Sequence, residues 1–284
     1  MPEFAAKQPK ALCCGAVKTD TERNMLLENV EKYIIWLFFY SVVGWIYEST
    51  LCSVRAHKFI NRGFLNGPYC PIYGAGAILD ILVLGRFKNP FLLFFASAVL
   101  TCLLEYATSY AMEKIFNARW WDYSDSKFNI KGRVCLLGAV VFGLLSVALI
   151  LFIHPFVSRH TDNIPHILLN VVSGVVFAGF AADCIITITG FTSFDMRLKE
   201  FSEYLDKKKE DAAAEFEKFK REHRSLRLSN AYEMFLLRLN SQHRRMIKGF
   251  PKLKSVKYQE ALNRLHMNIG EFRKHKLISR QIKK

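Results

Sequence analysis

From Tyr33 onward, long apolar runs alternate with short polar interruptions. Five such runs, about 33–54, 70–84, 90–111, 132–157 and 165–191, stand out. Most reach the roughly 17–25 helical residues that cross a hydrocarbon core of ~30 Å. The second is the shortest and carries glycines. A backbone in lipid must satisfy its own polar groups, so runs of this length predict helices rather than strands. The expected fold is all-α, a polytopic membrane helix bundle of about five spans. Residues 1–32 form an N-terminal segment, 33–191 the transmembrane domain, and 192–284 a basic, helical cytoplasmic region.

Composition agrees: the chain has 284 residues, 51% of them hydrophobic, with 24 Phe. From Thr192 the pattern changes, with 24 Lys and Arg against 12 Asp and Glu, so most of the net +15 sits in the last third. Residues 199–226 scatter Phe201, Tyr204, Phe216 and Phe219 among mixed charges, as a solvent-exposed helix does. A second amphipathic stretch, 228–246, is stopped by Gly249 and Pro251, and a third runs over about 256–275. Basic segments beside spans stay in the cytoplasm, where they meet anionic lipid. The charge is read that way, with no nucleic acid expected.

Five spans then leave the N-terminus outside and put the connections 55–69 and 112–131 in the cytoplasm. Arg55, Lys58 and Arg62 fit that orientation, whereas Arg86 and Lys88 on the opposite side do not. Residues 1–32 lack the pattern of a signal peptide, so the first span is expected to act as an uncleaved insertion signal. Seven cysteines without CxxC or CxxH spacing signal neither a disulfide framework nor a zinc site. No metal or cofactor is expected.

Ionisable groups inside spans are costly and tend to face a cavity or a partner. Four carboxylates qualify: Glu48, Asp80, Glu105 and Asp183. Glu48, Glu105 and Asp183 lie about 22–27 Å along three spans of one direction at ~1.5 Å per residue, so they share one level near the cytoplasmic side. Asp80 falls nearer the middle. Arg62 and Arg133 enter at that level and are the expected partners of Glu48 and Glu105. Trp121, Asp122 and Tyr123 stand just before Arg133, and the result would be a polar chamber under an aromatic lid. A purely structural reading has ion pairs fixing helix register and aromatics anchoring the interface.

The stretch 62–76, RGFLNGPYCPIYGAG, sits at the entrance. Gly63, Gly67 and Gly74 are expected to allow unusual backbone turns. Pro68 and Pro71 each remove an N–H and disfavour helix just before them. The spacing predicts a broken, semi-buried connection, with helix resuming near Gly74 and Asn66, Tyr69 and Tyr73 available for binding. Irregular backbone at this depth survives only where protein or a water-filled cavity covers it, and transporters use such breaks at their binding sites.

The segments YSVVGWIYE (40–48), NRGFLNGPYCPIYGAGA (61–77), LEYATSYAMEKIF (104–116) and WWDYSDSKFNIKGRVCL (120–136) resemble the family of ABC-transporter type IV membrane proteins. The resemblance covers roughly 33–200, and HRRMIKGFPKLKS (243–255) resembles the C-terminal part of longer members. It implies a permease of a bacterial inner membrane but brings no substrate and no catalytic residue set. The motif positions it marks include Glu48, Arg62, Asn66, Tyr69, Tyr73, Glu105, Trp121, Asp122, Tyr123 and Arg133.

The leading reading is a multi-pass transport component with a substrate-binding site at those residues. The chain has no GxxxxGK[ST] phosphate loop, so ATP-driven transport would need a separate ATPase subunit. Two alternatives stand beside it. One is a regulator or scaffold that recruits a partner through the tail. The other is an intramembrane lipid-processing enzyme, for which neither HExxH nor GxSxG is present.

Overall fold

The computed structural model of the chain describes residues 13–215 and 241–263. Its apolar runs are helices: α1 (Cys13–Ala56), α2 (Pro71–Leu84), α3 (Pro90–Phe116), α4 (Leu136–Ala148), α5 (His154–Asp162) and α6 (His166–Glu215). A further helix, α7 (Ser241–Gly249), follows in the tail. Four stretches are long and apolar enough to cross a membrane: Leu27–Ala56, Pro90–Phe116, Leu136–Asp162 and His166–Glu203. The remaining expected span, α2, has 14 residues. At 1.5 Å per residue that is about 21 Å, short of a full crossing.

Local chemistry sets these lengths. Pro71 stands in the first turn of α2, where a missing N–H costs nothing. Helix therefore resumes three residues before Gly74. Asn89 caps α3 by accepting from the N–H groups of Phe91 and Leu92, with Pro90 at the first position. Between α4 and α5 the helix widens into a π-turn at Leu149–Ile153. Pro155 explains it, because its ring would collide with the carbonyl four residues earlier in a regular helix.

Successive helices alternate in direction. At one end of the bundle Trp36 Nε1 donates to Thr161 Oγ1 at 3.0 Å, Tyr40 Oη and His154 Nδ1 lie 3.0 Å apart, and Lys32 pairs with Asp162 at 2.9 Å. The connections 57–70 and 117–135 gather at the other end. Within the bundle α2 packs closely on α1. A side chain at Gly74 would meet the carbonyl of Leu37 and Ser41 Oγ, and one at Gly44 would meet the Tyr73 ring. Gly67 and Gly74 in the stretch 62–76 thus serve close approach, not unusual turns. Among the described glycines only Gly132 has positive φ, at +67°.

The tail departs most from expectation. α6 continues to Glu215, but residues 216–240 and 264–284 lie outside the described residues, and with them most of the expected 228–246 stretch and much of 256–275. What is described of the tail packs its apolar side chains against the chain's own loops. Strand β4 (Lys254–Ser255) pairs antiparallel with β1 (Ala118–Arg119), with Ala118 opposite Ser255. A small hairpin, β2 (Asn129–Ile130) with β3 (Val134–Cys135), lies beside this pair. Trp120, 2% exposed, stacks at 5.0 Å from Phe191, 5.3 Å from Phe250 and 4.8 Å from Phe64, with Met246 and Leu262 in the same core. Each such buried side chain stabilises docking by about 1.5–3 kcal/mol.

Candidate functional site

The connection between α1 and α2 is pinned to α1 first. Trp45 Nε1 donates to Asn61 Oδ1 at 2.8 Å, the Arg62 N–H to Ser49 Oγ at 3.3 Å, and the Cys70 N–H to the Ser41 carbonyl at 2.8 Å. Further along, the loop turns its donors onto α6. Asp183 Oδ1 accepts from the Asn66 N–H at 3.2 Å and from Asn66 Nδ2 at 2.9 Å. Its Oδ2 accepts from the Gly67 N–H at 2.8 Å and from Tyr69 Oη at 2.5 Å. Burial, then the Asp183 bond, pushes the Tyr69 phenol well above its ordinary value, so it remains a donor. Gly67 is required here, since a side chain would strike the Tyr69 ring.

A second cluster lies alongside. Arg62 Nε stands 3.7 Å from Glu48 Oε2, and Tyr73 Oη donates to Glu48 Oε1 at 2.7 Å. Glu105, 6% exposed, accepts from Tyr123 Oη at 3.2 Å. Its other oxygen is buried without a hydrogen-bond partner among the described residues and faces the space above Gly138. Burial, then the charges of Glu105 and Glu48, hold the Tyr123 phenol protonated. Glu48 and Glu105 thus share one electrostatic neighbourhood, as their equal depth in the sequence suggested.

Arg133 does not take the expected partner. It pairs with Glu113 at 2.9 Å, donates to Ser109 Oγ at 3.1 Å, and lies over the rings of Tyr106 and Tyr110. The reason is helix length: α3 continues past residue 111 to Phe116 and carries Glu113 to it. Arg119 joins the same carboxylate at 2.9 Å. Trp121 Nε1 donates to the Arg133 carbonyl at 3.0 Å, so Trp121 frames the site rather than lining it. Asp80 is apart from all of these, 1% exposed and held by Ser146 Oγ at 2.5 Å.

Sequence reasoning missed the covering layer. Arg62 Nη1 donates to the Gly249 carbonyl at 2.7 Å and its guanidinium lies 4.7 Å over the Phe250 ring. Lys252 pairs with Asp125 at 3.1 Å, and Lys254 with Asp122. The only signal for this was the segment 243–255, singled out by its resemblance to longer relatives.

Two tail contacts titrate. Burial works to raise the Asp122 carboxyl, but the Lys254 ammonium and the Ser124 donors outweigh it and hold the group at about 2. Burial lowers the His243 imidazole below its ordinary value, partly opposed by its bond to the Gly190 carbonyl. Both folded values are depressed, so both contributions are present above the unfolded value and lost as pH falls. Docking is expected to weaken first below pH of about 6.5 as His243 charges, then again from about 4 toward 2 as Asp122 is protonated. Hydrogen exchange of residues 241–255 against pH checks this, and Asp122→Asn should remove the second step.

Four helices long and apolar enough to cross a bilayer define a helical membrane protein, with Glu48, Glu105 and Asp183 toward the end where the connection 57–70 lies. The family model described as "Putative ABC-transporter type IV" matches residues 35–188, and the chain belongs to this family. The match runs from the second half of α1 into the apolar part of α6 and includes every expected site residue. Neither the curated proteins nor the solved structures yield a match to the chain.

Proposed function

We propose that the chain is the permease component of a transporter. It is multi-pass in a bacterial inner membrane, with its C-terminus in the cytoplasm and its cargo site at the loop end of the bundle. One observation carries the reading: the connection 61–69 is broken out of helix and turned, through four donors, onto the α6 carboxylate Asp183. A plain linker needs no such arrangement, whereas a carrier uses irregular backbone at helix ends to hold cargo. Glu105, with one buried oxygen unclaimed among the described residues, is the carboxylate offered to a ligand. Energy would come from a separate ATPase docking on the cytoplasmic face. The scaffold reading gains less support, because residues 241–263 are committed to the chain's own loops.

Native mass spectrometry of protein gently extracted from its own membrane tests the reading. An ATPase subunit in stoichiometric complex is the expected result, and a chain with neither protein partner nor bound solute would count against it. Glu105→Gln keeps the side chain's size and an acceptor for Tyr123, so the protein should still fold, yet transport should fall at least about tenfold, since about 1.4 kcal/mol of lost interaction suffices. Unchanged transport would remove Glu105 from the site.

A further inference from the structure

Arg245 reaches from α7 into the same connection. Its Nη1 donates to the carbonyl oxygens of Gly63 at 2.9 Å and Leu65 at 2.6 Å. Its Nη2 donates to that of Phe64 at 3.0 Å and to Asn66 Oδ1 at 3.5 Å. Three successive peptide carbonyls therefore converge on one cation. Within a helix or a strand these carbonyls would be taken up by the backbone ladder; here the break in helix leaves them free for a side chain. The next two N–H groups point the other way, to Asp183. The Leu65–Asn66 peptide thus has its carbonyl on the cation and its N–H on the anion.

Both flanks of the cradle are anchored by contacts that do not involve its present occupant. Asn61, Arg62 and Cys70 are tied to α1, and Asn66, Gly67 and Tyr69 to α6. All of these residues lie within the family-matched region 35–188, whereas Arg245 lies outside it. The occupant is also held only by its outer fork: Nε is buried without a hydrogen-bond partner among the described residues. What the cradle recognises is the part of Arg245 that any alkylguanidinium shares.

We propose that Gly63, Phe64, Leu65 and Asn66, backed by Asp183, form a binding site for a guanidinium cation, and that Arg245 fills it as a tethered ligand. A free guanidinium compound and the tail then compete for one place, and the tail closes the site when nothing else holds it. Identifying that place as the cargo subsite rests on the transport reading; its capacity to bind a guanidinium does not.

The test uses the full chain in lipid nanodiscs, with methylguanidinium as the probe at millimolar, non-denaturing concentration and urea as the neutral control. Arg245→Ala should lower Tm. Methylguanidinium should then restore at least about half of the loss along a saturating curve, and urea should restore none. Wild type should show no such rise, and adding Asp183→Asn to Arg245→Ala should raise the half-saturating concentration at least about tenfold. Absence of a saturable rise in Arg245→Ala, or the same rise in wild type, overturns the proposal.

If Arg245→Ala is not recovered folded, wild type decides. Methylguanidinium should speed proteolysis of the tail around Lys248 severalfold over equal urea, and equal rates overturn the proposal. Flux of labelled methylguanidinium into vesicles separates the two claims. Binding without flux keeps the site and rejects it as the cargo subsite, and an ATPase complex without binding rejects the site alone.

Discussion

Asp183→Ala is expected to destabilise the protein by about 3 kcal/mol and to free the connection between α1 and α2. The carboxylate accepts from two backbone N–H groups, the Asn66 amide and the Tyr69 hydroxyl. Hydrogen bonds to a charged group contribute about 1.5–3 kcal/mol each when measured singly. The four share one anchor and Asp183 is half-buried, so the total falls well short of their sum. Thermal unfolding in nanodiscs should show a Tm lowered by roughly 10 °C, with protease cleavage appearing within 63–69. Asp183→Asn keeps the shape and one acceptor oxygen and should cost less than half as much. Equal stability of Asp183→Ala and wild type would mean that the loop is held by its contacts to α1 alone.

Gly74→Val is expected to have the larger effect on the bundle. A Cβ at this position has no room, because the α1 backbone at Leu37 and the Ser41 hydroxyl already occupy the space. A backbone carbonyl cannot turn aside as a long side chain can, so α1 and α2 must separate. Overpacking costs typically 1–3 kcal/mol, and more where no rearrangement relieves it. With Tyr73 bound to Glu48 one residue away, separation would also open the Arg62–Glu48 cluster. Loss of folded protein from the membrane is the expected readout, with Gly74→Ala intermediate. Gly174→Ala is the contrast: nothing lies within 4 Å of its added carbon, and stability should stay within about 0.5 kcal/mol.

The sequence made parts of this site readable because they depend on depth alone. Glu48 and Glu105 sit equally far into their runs, and the structure places both in one neighbourhood, with Arg62 beside Glu48. Arg133 could not be assigned in that way. Its partner depends on where α3 ends, and apolar composition fades before the helix does, so composition alone leaves Glu113 in the connection 112–131. The glycines illustrate a second limit. Their presence at 67 and 74 was visible, but only packing shows that they admit a ring and a carbonyl rather than a turn. The covering tail was the least legible feature. An amphipathic stretch announces an apolar face without saying whether lipid or protein meets it, and Met246, Phe250 and Leu253 meet the chain's own loops. Nor does charge alone distinguish an Arg that faces anionic lipid from one that fills a cradle of carbonyls.

The central claim is that the connection 61–69 and its carboxylates carry a solute across the membrane. The most direct test compares small-molecule accumulation in membrane vesicles lacking the chain with vesicles carrying wild type, Glu105→Gln or Asp183→Asn at matched membrane levels. At least one solute should accumulate only with wild type, and the difference should disappear in both variants. Identical profiles with and without the wild-type chain would contradict the account.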